Sequence, residues 1–438
     1  MQQSKTELSI KKIFLFWIPL ASTWLMMAAE GPFIAAVIAR LHNPKYNLAA
    51  YGVAFSFAIL IESPIIMITS ASTALVKDKE SYFKLRNFAF LLNGVATLIM
   101  LLFLIPQIFF FVTKDLMSLE PHIAELTRYT TMFFIPWAAA IGYRRFYQGI
   151  LIRNNLTRRV AYGTIIRLLA MSSVAMISYV LTSLKGAFVG GTALCCGVVA
   201  EAAVSRIMAH SSIKKINKIN QTKAIPFRYR FITKFYYPLA LTSILSLGIH
   251  PLVTFFMGQS RMPIESLAVL PVINSLVFIF RSMGLSFQEV GIALLGENNQ
   301  GFLALKKFAV ILSVFASVGL ALIAFTPLSY VWFQKISGLS HELSLFAILP
   351  TKILVLLPAL SVILCFQRAI IIKNENTKPV TIATAIELFS VVILLVFTIK
   401  WLGLVGAICA AISMTLGRLA ADIYIIRPSS KSLSSSSL

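Results

Sequence analysis

Long apolar segments recur along the whole chain, and short polar segments separate them. Each apolar segment has about twenty or more residues, enough for a helix to cross roughly 30 Å of hydrocarbon. A spanning segment must satisfy its own backbone hydrogen bonds, and uninterrupted apolar runs of this length favour helices. The pattern predicts twelve transmembrane helices, near residues 13–39, 47–75, 88–112, 123–151, 160–182, 186–208, 231–257, 264–294, 308–333, 343–372, 379–399 and 403–426.

The composition agrees with a membrane protein. Of the 438 residues, 58% are hydrophobic, and a soluble domain cannot hide that much apolar surface behind a polar coat. The net charge of +23 would suggest nucleic acid in a soluble protein. Here most basic residues lie between the apolar segments, so we expect no nucleic-acid partner and attribute the charge to membrane topology and anionic lipid headgroups.

The two halves of the chain resemble each other. Trp17–Ala21 returns as Tyr236–Ala240 after 219 positions, and Gly149–Asn154 returns as Ala369–Asn374 after 220. Six spans per half place both halves in the same orientation, so the sequence predicts an all-α membrane protein with two six-helix parallel repeats about a pseudo-two-fold axis along the membrane normal. The predicted domains are an N-terminal six-helix lobe (1–208), a basic cytoplasmic linker (209–230), a C-terminal six-helix lobe (231–428) and a disordered Ser-rich tail (429–438).

The loop charges predict the orientation. The loops on the side of the two termini carry 23 Lys and Arg residues, and the opposite loops carry eight. Basic residues accumulate on the cytoplasmic side, so we expect both termini in the cytoplasm. We also expect the protein to lie in the cell (inner) membrane and to be a monomer.

Charged residues inside the spans change sign between the halves. Arg167 and Glu201 in spans five and six correspond to Glu387 and Arg418 in spans eleven and twelve. Both members of the pair invert together, which predicts a structural ion pair in each half. Asp422, one helical turn after Arg418, is an alternative partner for that arginine.

A third inversion sets Glu62 in span two against Arg281 in span eight. Each lies near the middle of its span, without an obvious partner in its own half. If the two spans face each other across the pseudo-axis, the side chains meet in a central cavity. They would form either a further ion pair between the halves or a gate and binding pair, with Arg281 contacting an anion and Glu62 binding a proton.

Other intramembrane charges are weaker site candidates. Arg145 and Arg368, in spans four and ten, either extend to the cytoplasmic surface or line an anion pathway, because guanidinium groups suit carboxylate and phosphate oxygens. Glu30 and Glu289 are candidates, with Glu62, for coupling to H⁺ or Na⁺, but each is also compatible with a solvated acid. No cofactor is expected.

Several classes of protein lack support. The sequence contains no nucleotide-binding GxxxxGK[ST], no HExxH and no GxSxG, so an ATP-driven pump or membrane enzyme is not expected. The four cysteines all fall inside predicted spans, which excludes an extracellular disulfide framework and provides no metal-site spacing.

The layout resembles the MATE-like flippase and exporter superfamily, and within it the progressive ankylosis protein family. The segments that carry this resemblance are Leu48–Ala54, Tyr236–Leu241 and Gly149–Leu151. The resemblance implies export of small organic or phosphorylated anions, such as citrate, nucleotides or pyrophosphate, by alternating access. Arg167 replaces an asparagine typical of the multidrug-exporter branch.

The leading hypothesis is therefore a secondary active transporter that exports a small anion. The alternatives are a cation-coupled multidrug exporter and a flippase for a lipid-linked substrate, the latter predicting a lateral portal between spans one and eight. A membrane scaffold without transport activity is a further alternative.

Overall fold

The structure, a computed structural model, describes residues 8–154, 156–219, 228–296, 299–373 and 378–435. Nineteen α-helices, with short π- and 3₁₀-helical turns between some of them, build the described part of the chain. Their bounds are α1 Ile10–Ala28, α2 Glu30–Ala39, α3 Pro44–Glu62, α4 Ile68–Leu75, α5 Lys79–Phe103, α6 Pro106–Phe110, α7 Pro121–Met132, α8 Trp137–Arg153, α9 Thr157–Leu181, α10 Gly186–Ile216, α11 Tyr229–Leu247, α12 Ile249–Gly258, α13 Pro263–Leu294, α14 Phe302–Phe325, α15 Leu328–Tyr330, α16 His341–Ile353, α17 Leu357–Lys373, α18 Lys378–Lys400 and α19 Gly406–Ser435.

Ten helical segments within the described residues are long and apolar enough to cross a membrane. They include the predicted first span, formed by α1 and α2, and the predicted seventh span, formed by α11 and α12. The predicted spans 47–75 and 123–151 are each divided, α3 from α4 around Pro64 and α7 from α8 around Pro136. The chain is therefore a multi-pass membrane protein.

Prolines explain the shorter interruptions. Pro32 and Pro251 lack the N–H that would bond to the carbonyl four residues earlier. Those carbonyls belong to Ala28 and Leu247, the last residues of α1 and α11. The first helix of each predicted half is therefore interrupted at the position that the sequence predicts. In contrast, α13 continues through Pro271 without interruption.

The chain divides into two compact units whose composition differs from the predicted lobes. The N unit contains Val37–Gln259, and the C unit contains Met1–Ala36 together with Ser260–Leu438. The predicted lobes 1–208 and 231–428 are thus corrected at their first spans, which are exchanged: α1 belongs to the C unit, and α11 and α12 belong to the N unit. Packing of side chains, rather than order along the chain, decides this grouping.

One buried aromatic residue fixes each exchanged helix. In the C unit, Trp17 of α1 donates a hydrogen bond from Nε1 to Oγ of Ser286 at 2.8 Å, and its ring lies edge-on to Phe308. In the N unit, the hydroxyl of Tyr236 in α11 donates to the carbonyl of Pro64 at 2.6 Å, and its ring lies edge-on to Phe88. Trp17 and Phe308 correspond to Tyr236 and Phe88 at offsets of 219 and 220, so the two exchanged helices are attached in the same way.

Further local features recur at the same two offsets, 219 and 220. Asn43 and Met262, with φ of 51° and 52°, each precede the proline that begins a long helix. Side-chain oxygens of Asn47 and Ser266 accept from the backbone N–H of Ala187 at 2.9 Å and of Ala407 at 3.1 Å. The π-helical turns Phe111–Leu116 and Val331–Ile336 also correspond.

The linker and tail differ from the prediction. Helix α10 continues to Ile216 and α11 begins at Tyr229, so parts of the predicted linker 209–230 are helical; its residues 220–227 lie outside the described residues. The predicted disordered tail is helical to Ser435, and 436–438 lie outside the described residues. The hydroxyls of Ser429, Ser430 and Ser432 donate to backbone carbonyls one turn earlier, and Leu433 packs on the apolar core of the C unit. These contacts allow a Ser-rich segment to continue the helix.

Candidate functional site

A buried charge cluster of the N unit is centred on Glu201 of α10, whose exposure is 0%. Arg144 of α8 donates from Nη1 to Oε2 of this carboxylate, and Gln148, one turn later on α8, donates to Oε1 at 3.0 Å. Arg167 of α9 lies 3.7 Å from Oε2. Because α8 and α9 both pack against α10, residues of two helices converge on one carboxylate.

Glu62, at the end of α3, forms the second part of this cluster. The carboxylate is buried and accepts a hydrogen bond from Nε1 of Trp137, the first residue of α8. Arg145, adjacent to Arg144 on α8, lies within electrostatic range of both Glu62 and Glu201. Arg145 makes no hydrogen bond or ion pair with any residue that the structure describes, and its Nε is buried.

The C unit contains a corresponding cluster. Nη2 of Arg418 in α19 lies 2.7 Å from Oε1 of Glu387 in α18. Two further arginines make hydrogen bonds to hydroxyl groups only. Nε of Arg281 in α13 donates to Oγ of Ser361 at 3.2 Å, and Nη2 of Arg368 in α17 donates to Oγ1 of Thr384 at 3.0 Å. Asp422, one turn after Arg418, is buried within electrostatic range of Arg418, Glu387 and Arg368.

Both clusters have the same charge balance. Each contains three guanidinium groups and two carboxylates, so one positive charge is in excess when all five groups are ionised. The members in the N unit are Arg144, Arg145, Arg167, Glu62 and Glu201. The members in the C unit are Arg281, Arg368, Arg418, Glu387 and Asp422.

The arginines fall into two groups. Arg144, Arg167 and Arg418 form ion pairs. In the described residues, Arg145, Arg281 and Arg368 form none, although all three lie in apolar helices. A charge at the centre of a bilayer costs at least about 2.5–3.5 kcal/mol, so each of these guanidinium groups needs a partner or water; the binding of an anion by them stays a prediction.

The structure brings together the residues of both sequence-predicted ion pairs, Arg167 with Glu201 and Glu387 with Arg418. The expectation that Glu62 and Arg281 lack partners in their own halves is corrected, because Trp137 and Ser361 contact them. Glu62 and Arg281 belong to different units, and their approach stays a prediction.

Two predicted coupling residues lie in contrasting environments. Glu30 is buried at the first position of α2, beside the interruption before Pro32. Glu289 is exposed on α13. The role of each residue in coupling stays a prediction.

Sequence reasoning missed three partners: Trp137, Arg144 as the nearest cation to Glu201, and Gln148. The spacing of Arg144 and Gln148 was an available signal, since residues four apart share one face of a helix. Trp137 carried no signal, because its counterpart at offset 220 is Leu357.

A second polar region of the N unit is a pocket of about 800 Å³, bounded by the end of α2, the starts of α3 and α7 and the end of α9. Its lining contains Arg40, Lys185, His42 and His122 and no acidic residue. These helix ends face the side opposite to the termini in the predicted topology. A basic pocket without carboxylates favours anions over cations.

Comparison with known proteins places the fold. No family model matches the chain, and no curated protein matches it in sequence. Solved structures do match. An inward-facing multidrug resistance MATE family transporter of the MOP superfamily superposes with a TM-score of 0.71 at 13% identity, covering 95% of both chains.

Two further structures extend this comparison. The lipid II flippase MurJ, in an inward closed conformation, superposes with a TM-score of 0.71 at 16% identity, covering 96% of this chain and 90% of the flippase. A MOP superfamily transporter from Pyrococcus furiosus, described as having a binding pocket of reversed polarity that suggests a different function, superposes with a TM-score of 0.66 at 15% identity, covering 99% and 98%. At these identities the likeness concerns the fold, and this chain has the fold of the MATE-like transporters of the MOP superfamily.

Proposed function

We propose that this protein is a secondary active transporter that exports a small organic or phosphorylated anion, of the citrate, nucleotide or pyrophosphate class, by alternating access. The observation that carries the proposal is the positive excess of both buried clusters, together with three guanidinium groups outside ion pairs. MATE-like and flippase folds of this kind belong to proteins named as transporters and flippases.

The charge balance supports an anion over a lipophilic cation. A bound anion neutralises the excess positive charge of a cluster, whereas a cation increases it. Arginine forks also give two parallel hydrogen bonds to a carboxylate or phosphate. Arg145, Arg281 and Arg368 are accordingly assigned to substrate binding, and the ion pairs of Arg167 and Arg418 to bracing of the helices.

The proposal includes the finer architecture. Twelve spans follow if the divided pairs α3–α4 and α7–α8 each cross the membrane. The corresponding hydrogen bonds and ring contacts of Trp17 and Tyr236 support a parallel repeat. The proposed orientation places both termini in the cytoplasm, and the proposed oligomeric state is a monomer. The specific relation to the progressive ankylosis family rests on the short segments quoted above.

Coupling to H⁺ or Na⁺ is assigned to the acidic candidates Glu30 and Glu62, with Glu289 as the weakest because it is exposed. Glu62 combines burial with a neighbouring cation that has no ion pair, Arg145. Neutralising Glu62 therefore changes the charge that an anion encounters in the N unit.

Flux through reconstituted vesicles tests the function. Purified protein in proteoliposomes is expected to transport at least one of radiolabelled citrate, ATP and pyrophosphate, and Arg145→Gln is expected to lose most of that flux. Glu80→Gln is the matched control, because Glu80 and Lys84 form an i,i+4 pair at the start of α5. Absence of anion flux together with extrusion of cationic dyes would contradict the proposal.

A lipid-linked substrate is the second candidate, favoured by one observation. A crevice of about 460 Å³ lies between α5 and α8, with Phe90, Leu98 and Leu101 in its apolar lining and Asn93 as a polar lining residue. An acyl or prenyl chain could occupy it while an anionic headgroup contacts the cluster on α8.

Between spans one and eight, where a flippase portal is predicted, α1 and α13 pack directly against each other. Trp17 bonds to Ser286, and a Cβ on Gly31 would lie 2.9 Å from Cβ of Ser275. Gly94→Leu, which adds bulk at a crevice position where a Cβ meets no neighbouring atom, separates the candidates: it should slow movement of a fluorescent lipid diphosphate and leave flux of free citrate unchanged.

A further inference from the structure

Asp422 is a buried carboxylate without a hydrogen-bond partner. Its exposure is 4%, and neither Oδ1 nor Oδ2 has a partner among the residues that the structure describes. Helices α10 and α19 correspond at an offset of 220, as the pair Ala187 and Ala407 shows, so the position of Asp422 in the N unit is occupied by Ala202. The C unit therefore contains an ionisable group that the other copy lacks, and neither of the ion pairs requires it.

The surroundings of Asp422 are mainly cationic. The groups that interact electrostatically with Asp422 are Arg418 on α19 itself, Glu387 on α18, and Arg368 and Cys365 on α17. Arg281 on α13 interacts with Arg418 and Glu387 of the same cluster. The basic residue of α16, Lys352, instead lies over the ring of Phe325 at 5.3 Å.

Guanidinium donors beside Asp422 are incompletely used. Arg418 gives Nη2 to Glu387 and Arg368 gives Nη2 to Thr384. The Nε atoms of both arginines are buried without hydrogen-bond partners. Unpaired donors and unpaired acceptors thus coexist in one buried cluster, although buried polar groups are normally satisfied. Such a cluster is suited to taking up a ligand or a proton.

Charge counting identifies which species Asp422 would exchange. With all groups ionised the cluster has an excess of one positive charge, which a monoanion neutralises. An anion with two or more negative charges would overcompensate in a buried site, where uncompensated charge is costly. Protonation of one carboxylate offsets the additional charge. Glu387 is held by Arg418, so Asp422 is the available acid. The two neighbouring guanidinium groups, of Arg418 and Arg368, disfavour Na⁺ at this position.

We propose that Asp422, in the C unit, is a further proton-coupling carboxylate: it takes up one proton from water when a multiply charged anion binds at Arg368, and it returns that proton when the anion leaves. This inference rests on the proposed anion transport and specifies its coupling. Binding of a proton together with the anion requires the dissociation constant for the anion to fall as pH falls, by up to about tenfold per pH unit for one linked proton.

Titration calorimetry measures this proton directly. Citrate is titrated into the purified full-length protein at alkaline pH, where citrate is fully ionised, in two buffers with different enthalpies of ionisation. The difference in observed heat gives the number of protons taken up from the buffer. About one proton per bound citrate is expected for the wild-type protein.

Two variants and one control test whether Asp422 is the group that takes up the proton. Asp422→Asn keeps the shape of the side chain, and Asp422→Ala installs the residue that the N unit has at this position. Both are expected to bind citrate with proton uptake near zero and with a dissociation constant that varies little with pH. Glu80→Gln should behave like wild type. Thermal melting of each variant verifies that it is folded.

The outcomes distinguish this inference from the proposed function. Citrate binding with unchanged proton uptake in both Asp422 variants overturns the role of Asp422 and leaves anion transport intact. Binding by wild type without any proton uptake does the same. Absence of binding by citrate, ATP and pyrophosphate overturns the proposed function and this inference together.

Discussion

Nη2 of Arg418 lies 2.7 Å from Oε1 of Glu387 in the C unit, and the N unit contains the same helix pair with the signs reversed, Arg167 on α9 and Glu201 on α10. A buried ion pair of this kind is costly to break, because removing one partner leaves an uncompensated charge. The reversal implies that the two helices tolerate either polarity, provided that both charges change together.

A charge swap tests this tolerance. Glu387→Gln should destabilise the C unit by about 3–5 kcal/mol, the cost of leaving one buried charge unpaired. The double variant Glu387→Arg with Arg418→Glu should recover most of that loss. Thermal melting in detergent measures both. A double variant no more stable than Glu387→Gln would mean that neighbours such as Arg281, rather than the pair, dictate the polarity.

Adjacent arginines on α8 should respond differently to the same substitution. Arg144→Gln removes a charge-assisted hydrogen bond to Glu201 and is expected to destabilise the protein by about 1.5–3 kcal/mol. Arg145 has no hydrogen bond or ion pair within the described part of the chain, so Arg145→Gln should leave the melting temperature nearly unchanged.

The same pair separates stability from transport. Loss of a guanidinium–carboxylate contact corresponds to about 1.5–3 kcal/mol, or roughly ten- to a hundredfold in affinity, so Arg145→Gln should weaken anion binding by that factor. Equal effects of the two substitutions on both melting and flux would contradict the division between bracing and binding arginines.

The fold could be predicted from sequence to the extent that the two copies repeat each other. Apolar runs predicted the ten spans found in the described residues, and the opposite signs of Arg167–Glu201 and Glu387–Arg418 predicted the two ion pairs. Each copy has a pair between the same two helices, but Arg418 lies one turn before the position equivalent to Glu201, since α10 and α19 correspond at an offset of 220. Arg144 and Trp137 correspond to Leu364 and Leu357, so comparison of the halves carries no information about them.

The exchange of the first helices could not be read from the chain. Order along the sequence groups α1 with the helices that follow it, α2 to α10. In the structure, the hydrogen bond of Trp17 attaches α1 to the C unit, and the hydrogen bond of Tyr236 attaches α11 to the N unit. Both bonds involve partners that have no distinctive pattern in the sequence, a serine within an apolar helix and a proline carbonyl. Such contacts become apparent only once side chains are packed.

The hydrogen bond that attaches α11 to the rest of the N unit can be tested by removing one oxygen atom. Tyr236→Phe deletes the hydroxyl that donates to the carbonyl of Pro64 and retains the ring that packs on Phe88. The loss of one buried hydrogen bond should cost about 0.5–1.5 kcal/mol. Tyr237→Phe is the matched control, because Tyr237 is 66% exposed. Equal melting temperatures of the two variants would show that ring packing alone holds α11 in place.

Glu62 offers a test of electrostatics separate from hydrogen bonding. In Glu62→Gln the amide oxygen can still accept from Trp137, so the fold should be retained. The N-unit cluster then gains one positive charge. A full charge in a poorly solvated site acts strongly on a bound anion, so citrate and pyrophosphate should bind at least severalfold more tightly, with the gain reduced by salt. Calorimetric titration at two ionic strengths measures the effect.

Trp137→Phe is the converse variant, since it keeps the charge of Glu62 and removes the hydrogen-bond donor. It should lower the melting temperature without tightening anion binding. Weaker anion binding in Glu62→Gln would instead mean that the carboxylate positions Arg145 for the substrate, and that the charge balance of the cluster is secondary.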